Sequence, residues 1–394
     1  MTNPNPPFTQ AEYDRRIRLT RQAMNDHEIE VLFITDPSNQ AWLTGYDGWS
    51  FYVHQGVILG LEGDPIWWGR TMDANGAHRT VWMEADSILA YADHFVMSTV
   101  HHPMEDLANH LVRLGYKTSR IGIEMENYYY SAKAHQVLTS CLGSAKFTDA
   151  TALVNWQRVM KSEEEITFMR RAAKIADKVL MLAINEARPG KPKNELVGDI
   201  LKAGIYGADG EWGDYPAIVP MVPSGIDASA AHLTWNGEPM KSGEATFFEL
   251  AGCYRRYHIP YCRTVFLGQP PKKMMDASKA LVDGIHAGID AARSGNRACD
   301  IAQALHQELS KAGIDRIGRC GYSIGLSYPP DWGERTISLR PEDQTMLQSG
   351  MTLHFMPGLW MNDWGIEITE PILITPEGPA ETFGNIERKL FIKD

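Results

Sequence analysis

The sequence predicts a two-domain α/β (α+β) protein on three observations. The chain has 394 residues, more than one average domain and enough for two. Short apolar runs alternate with helical periodicity over residues 1–150, the pattern of a compact α/β unit. Residues 243–268, GEATFFELAGCYRRYHIPYCRTVFLG, hold two apolar-rich runs about a polar turn and read as a pair of adjacent strands.

Taken in order, Thr9 to Asn25 has the spacing of an amphipathic helix, with Thr9 as its N-cap. Val31–Ile34 is a short apolar strand ending at Asp36-Pro37, and Gly56–Leu61 and Pro65–Trp68 are further strands. Met104–Leu114 is helical, Arg120–Glu124 is a strand, and a helix covers Ser131–Leu142. The boundary falls near Ala152–Lys161, which gives domains of 1–157 and 158–394. Beyond it, Ser162-Glu163-Glu164-Glu165 is an S-x-x-E capping box, whose side chains satisfy backbone N–H groups that a first helical turn leaves open. Ile166, Met169, Ala173, Ala176, Val179 and Leu180 follow at the spacing of one buried helix face. The strand pair comes later, as Ala245–Ala251 and Tyr261–Leu267 around a turn at Cys253–His258. No short repeat or low-complexity tract interrupts the chain.

A net charge of −11 argues against nucleic acid or an anionic membrane as partner. The five cysteines are scattered without C-x-x-C spacing, which suits a reduced cytoplasm and offers neither a zinc site nor a disulfide frame. The first residues, MTNPNPPFTQAEYDRR, lack an apolar core of the signal-peptide kind, and no run approaches the ~18 apolar residues of a spanning helix. The expectation is a cytoplasmic protein. No G-x-G-x-x-G loop follows a strand, and neither a Walker lysine nor a G-x-S-x-G elbow is present. His101-His102 precedes a proline in a predicted turn and reads as surface.

The chemistry centres on Glu249. Strand alternation places it on one face with Phe247 and Ala251, and a carboxylate among apolar neighbours needs a cation or a hydrogen-bond donor to offset its desolvation. The landmarks around it are the 243–268 strands, CGYSIGL, HFMPGLW and IEITEPILITPEG, with VMKSEEEITFMRRA at the domain entrance. Together they resemble the creatinase/prolidase (pita-bread, M24-like) family. The resemblance implies that residues 158–394 form a pita-bread domain with a curved antiparallel sheet, behind a creatinase-like N-terminal domain. It also implies metal-ligand positions that are changed here. Glu249 stands for the first aspartate, Pro260 for the second, Tyr322 for the histidine and Met356 for a glutamate. The last ligand maps to Thr369 or Glu370. Proline cannot ligate, and Met and Tyr suit hard divalent ions poorly, so the expectation is no metal and no cofactor.

In the same family frame, His232 in PSGIDASAAHLTWNGEPMKSGE matches the histidine that members place over the substrate; the alternative is a solvated loop histidine. Glu249, Glu370 and Glu367 could hold a guanidinium- or amidinium-like cation by charge-assisted hydrogen bonds, with His232 moving protons. The expected activity is C–N hydrolysis of a small cationic or zwitterionic substrate. The strings DPSNQAWLTGYDGWSFYVHQGVILGLEG, GDYPAIVPMVPSG, CGYSIGLSYPPDWGERT and HFMPGLW narrow the resemblance to the ectoine hydrolases. Such enzymes open the cyclic amidine of ectoine and 5-hydroxyectoine to an N-acetyl-2,4-diaminobutyrate, which implies a functional link to a deacetylase downstream. Glu249 is then the group that attacks, or that activates water. Arg335 in DWGERT lies near a carboxylate-binding arginine of creatinase, with a structural ion pair as the alternative. Tyr322 donates to substrate or fills volume, and Met356 packs against the ring. Related dimers cap one subunit's site with the other's N-terminal domain. This implies a homodimer in which Trp49, Phe51 and Tyr52 form an aromatic wall around the cation; the alternative is that they belong to a local core. A metal-dependent Xaa-Pro dipeptidase and a non-catalytic binding member are the rival readings.

Overall fold

The computed structural model describes residues 3, 5–315 and 318–394. The chain divides into two compact units, Met1–Arg158 and Val159–Asp394.

The first unit runs α1 (Gln10–Asp26), β1 (Val31–Ile34), α2 (Pro37–Thr44), β2 (Gly56–Gly60), β3 (Ile66–Arg70), α3 (Thr71–Thr80), β4 (Ile88–Tyr91), α4 (Pro103–Arg113), β5 (Arg120–Ile123), α5 (Ala132–Cys141), β6 (Lys146–Asp149) and α6 (Leu153–Arg158). Its strands form a six-stranded mixed sheet in the order β4-β3-β2-β1-β5-β6. Alternation along β1 builds both layers of core. Leu32 and Ile34 pack with Ile17, Trp42 and Trp67, whereas Val31 and Phe33 pack with Trp68, Leu107 and Leu111. The Thr9 side chain accepts from the Glu12 N–H and starts α1 as its sequence requires.

The strand Val31–Ile34 forms as expected, but the helix after it was not foreseen. Asp36-Pro37, read as the end of a strand, is also the start of a helix. Asp36 caps the Ser38 N–H and Pro37 takes the first helical position, where its missing donor costs nothing. Every residue of α2 is buried, so no polar face marked it as a helix. His102 likewise caps α4 in a capping box with Glu105, so it does more than sit in a turn.

The second unit runs α7 (Glu163–Glu186), α8 (Lys193–Tyr206), β7 (Ala245–Tyr254), β8 (Tyr257–Leu267), α9 (Lys272–Ala291), α10 (Ala298–Lys311), β9 (Gly321–Ile324), β10 (Gly333–Ser338), β11 (Thr352–Phe355), β12 (Gly358–Trp360), β13 (Gly365–Glu367), β14 (Glu370–Leu373), β15 (Glu381–Thr382) and β16 (Phe391–Lys393). The Ser162–Glu165 capping box is formed, and α7 buries Ile166, Met169, Ala173, Ala176, Val179 and Leu180. The helix lies so close to β7 that a Cβ on Gly252 would meet the Ala172 carbonyl oxygen at 2.1 Å.

The strands of this unit form a five-stranded antiparallel sheet (β10-β9-β11-β14-β15), a β12-β13 pair, and a β16-β8-β7 sheet in which β16 runs parallel to β8. A core of α9 and α10 side chains, including Leu281, Ile285, Ile301 and Leu305, packs on Leu353, Phe355 and Ile372. The turn expected over Cys253–His258 shrinks to Arg255 and Arg256, at φ 47° and 66°, so both strands extend further than their apolar runs. His258 is therefore a buried strand residue. Its Nε2 accepts from the Ala217 N–H, and burial pushes its pKa down to about 3.

Candidate active site

Glu249 sits in the middle of β7, opposite Cys262 of β8 on one edge and bridged to Met221 on the other. That bridge docks the segment after α8 against the strand. The Val222 N–H bonds the Thr234 carbonyl at 2.7 Å and closes a loop that carries His232. The result is a cavity of about 340 Å³ lined by Glu249, His232, Tyr322, Trp332, Met356 and Arg319, among others. Sequence positions far apart, 232, 249, 322 and 356, thus meet at one place.

The carboxyl of Glu249 is nearly fully buried, and burial raises its pKa well above the ordinary value; the negative charge of Glu367 raises it further. Glu367 ends β13, where its N–H donates to Thr264 Oγ1 at 2.9 Å and its carbonyl accepts from the same hydroxyl at 2.8 Å. These bonds fix β13 against β8 and hold two acids beside each other. The Cys262 thiol is also pushed up, by burial and then by the two carboxylates. Tyr322 is buried, and burial followed by the charge of Glu249 keeps its phenol protonated. Its Oη accepts from Trp332 Nε1 at 2.7 Å and lies 3.1 Å from His354 Nδ1. Arg319 lies over the Tyr322 ring at 4.5 Å from its centroid.

Other candidates are placed elsewhere. Glu370 is fully buried and ion-paired, 2.5 Å from Arg263 Nη2 and 3.1 Å from Arg388 Nε. Arg263 also bonds the Thr369 and Ile386 carbonyls, so its guanidinium is built into the fold. Thr369 Oγ1 accepts from the Cys262 N–H at 2.8 Å. Arg335 is exposed at φ 59° where the β9–β10 register shifts, and it is not among the cavity-lining residues. In the N-terminal unit, Trp49 and Tyr52 are 57% and 61% exposed, so the local-core alternative does not describe them. Phe51 packs between the rings of Trp49, tilted at 48°, and Tyr129, edge to face at 75°. Tyr52 lines a different cavity of about 180 Å³ with His54, Tyr91 and His102.

Sequence reasoning passed over Arg319, Trp332, Trp360 and His354. Arg319 stands immediately before CGYSIGL and Trp332 within DWGERT, so nearness to a landmark was the available signal. His354 opens HFMPGLW, so it carried the same signal, but only the strand pairing of β11 with β9 shows what it touches.

Among the described residues no group of three or more His, Cys, Asp or Glu side chains could hold a metal ion. Tyr322 Oη is already engaged by Trp332 and His354, and Glu370 by two arginines. The residues present do not fit a divalent ion.

Residues 167–376 match metallopeptidase family M24, and residues 16–160 match the creatinase/prolidase N-terminal domain. The chain belongs to the M24 family. With membership come the two-domain pita-bread fold and the enzyme class, a hydrolase. Among curated relatives, an ectoine hydrolase of Halomonas elongata is 55% identical over 98% of this M24 chain and 98% of its own. An uncharacterized hydrolase/peptidase of Sinorhizobium fredii is 36% identical over 98% and 99%. Among solved structures, a prolidase from Thermococcus sibiricus matches with a TM-score of 0.83 at 18% identity, covering 96% and 99% of the two chains. That last likeness speaks for the fold alone.

Proposed function

We propose that this M24 chain hydrolyses the cyclic amidine of ectoine and 5-hydroxyectoine without a metal, opening the ring to an N-acetyl-2,4-diaminobutyrate. The observation that carries the reading is the Glu249–Glu367 pair behind an aromatic-lined cavity. Two neighbouring buried acids favour a guest that brings positive charge, and an amidinium does. The identity to the H. elongata enzyme supplies the substrate name.

An amidinium carbon is already electron-poor, so it needs no Lewis acid. Glu249 either attacks that carbon or takes a proton from water that attacks. In the first route the C–O bond forms as the C=N electron pair moves to nitrogen. The ring C–N bond breaks as the leaving nitrogen takes a proton from His232. Water, giving its proton back to His232, then releases the carboxylate and leaves an amide. In the second route water bonds the carbon as Glu249 takes one of its protons, and the ring C–N bond breaks as the leaving nitrogen takes a proton from His232. The new hydroxyl's proton returns to His232 as the amide forms, and the proton on Glu249 leaves with the released amine. Trp332, Trp360 and Tyr322 wall the cation, and Arg319 is the cavity's cation for the substrate carboxylate in place of Arg335. Exposed Trp49 and Tyr52 suit an aromatic wall offered to a partner subunit of a homodimer.

The test is incubation of chelator-treated, metal-analysed protein with ectoine, followed by chromatography for ring-opened product. Loss of turnover on chelation, restored by a divalent ion, would sink the metal-free reading; no product under any condition would sink the substrate. After turnover in heavy-oxygen water, label in the peptide bearing Glu249 marks the covalent route.

A further inference from the structure

His354 and Tyr322 face each other across the β11–β9 pairing, with rings edge to face at 5.4 Å and 87°. Two nitrogens approach Tyr322 Oη, Trp332 Nε1 at 2.7 Å and His354 Nδ1 at 3.1 Å. An indole N–H only donates, so it occupies one lone pair of the phenol oxygen. The second contact depends on where the His354 ring carries its proton. Burial, then the charge of Arg319, push its pKa down to about 3, so the ring is neutral and has one N–H.

Nε2 of His354 is buried and has no hydrogen-bond partner among the described residues. A proton on Nε2 would be an orphaned buried N–H, a rarer deficit than an unused acceptor. A proton on Nδ1 has Tyr322 Oη in reach. In that tautomer Tyr322 accepts twice, and its own O–H has no protein acceptor among the described residues. The cavity that Tyr322 shares with Glu249 is where that hydrogen is free to point.

We propose that His354 is a positioning residue which, with Trp332, locks the Tyr322 hydroxyl as a donor aimed at the reacting group of the substrate. The inference rests on the amidine reading above and extends it. An amidinium offers only donors, so Tyr322 has nothing to bind on the reacting group before attack. Once the amidine carbon becomes tetrahedral, its nitrogens carry lone pairs and an acceptor appears. A donor that gains its partner only then accelerates the chemical step without tightening substrate binding.

Two measurements test this. Long-range ¹⁵N–¹H spectra of the imidazoles, with His354 assigned by difference against His354→Asn, should show its proton on Nδ1; a proton on Nε2 overturns the proposal whatever the substrate. In turnover assays Tyr322→Phe should lower kcat roughly 10²- to 10³-fold, as for loss of one preorganised donor, with KM changed less than about threefold. His354→Leu, which removes the donor, should follow it. His354→Asn, whose amide N–H can stand where Nδ1–H stands, should recover most of the activity. Equal losses in the leucine and asparagine variants, or a Tyr322→Phe defect confined to KM, would overturn it. Should the leucine variant fail to fold, the tautomer and the Tyr322→Phe split still decide. Wild-type protein inert toward ectoine would refute the substrate while leaving the tautomer measurable.

Discussion

Burial, and then the negative charge of Glu367, raise the Glu249 pKa, so its carboxyl is harder to ionise than an exposed one. Glu249 must be ionised to attack or to act as base. We therefore expect kcat/KM to fall as pH drops through the raised pKa of the free pair. The kcat limb should lie at lower pH, because a bound amidinium favours the ionised form. Calorimetry in buffers of different ionisation enthalpy should register proton release on substrate binding; binding without proton exchange would contradict the pairing. Glu249→Gln should cost at least about 10³-fold in kcat, the scale of losing an essential nucleophile or base. The same change should stabilise the fold. A carboxyl whose folded pKa is raised loses its stability contribution as pH rises from about 4.3 through the folded value. The glutamine variant should thus match wild type below pH about 4 and gain a few degrees in Tm at neutral pH. An unchanged Tm at both pH values would show that Glu249 is not strained by burial.

At the scale of elements, one helix and one strand position the acid. The capping box at Ser162 and the apolar face of α7 were readable because both are local patterns, set within a few residues. Their contact with β7 depends on Gly252, where an added Cβ would strike the α7 backbone. Gly252→Ala should destabilise by about 1–3 kcal/mol, the cost of overpacking, and thermal melts of the variant measure it. The Glu370–Arg263–Arg388 cluster stitches β14 to β8 and to the segment before β16. Breaking a buried pair leaves an unpaired charge, so Glu370→Gln should lower stability by about 3–5 kcal/mol. If Glu370 were instead part of the proton circuit, kcat per folded molecule would fall with Tm unchanged. The start of α2 shows the limit of local reading, since Asp36-Pro37 serves as strand end and helix cap together.

For the whole molecule, the two units carry different parts of the proposal. The C-terminal unit holds the cavity with its acid pair, and the N-terminal unit holds exposed aromatics that its own core does not use. Trp49→Ala should raise KM roughly threefold to tenfold, the loss of one cation–π contact, while Tm stays within about a degree. Unchanged kinetics would remove Trp49 from the substrate wall. No helix among the described residues is long and apolar enough to cross a membrane.

The sequence by itself determined the α/β class, the β7–β8 strand pair and the presence of an acid within an apolar strand. Those follow from alternation, capping and turn chemistry, which act between near neighbours along the chain. Only the tertiary structure decided which of the remaining acids faces Glu249. Glu367 does, because Thr264 pins β13 to β8, whereas Glu370 is neutralised by Arg263 and Arg388. Strand register also brought His354 to Tyr322 and left Arg335 outside while Arg319 lines the cavity. Pairings of this kind are set by hydrogen bonds between strands remote in sequence, and no local pattern of residues encodes them.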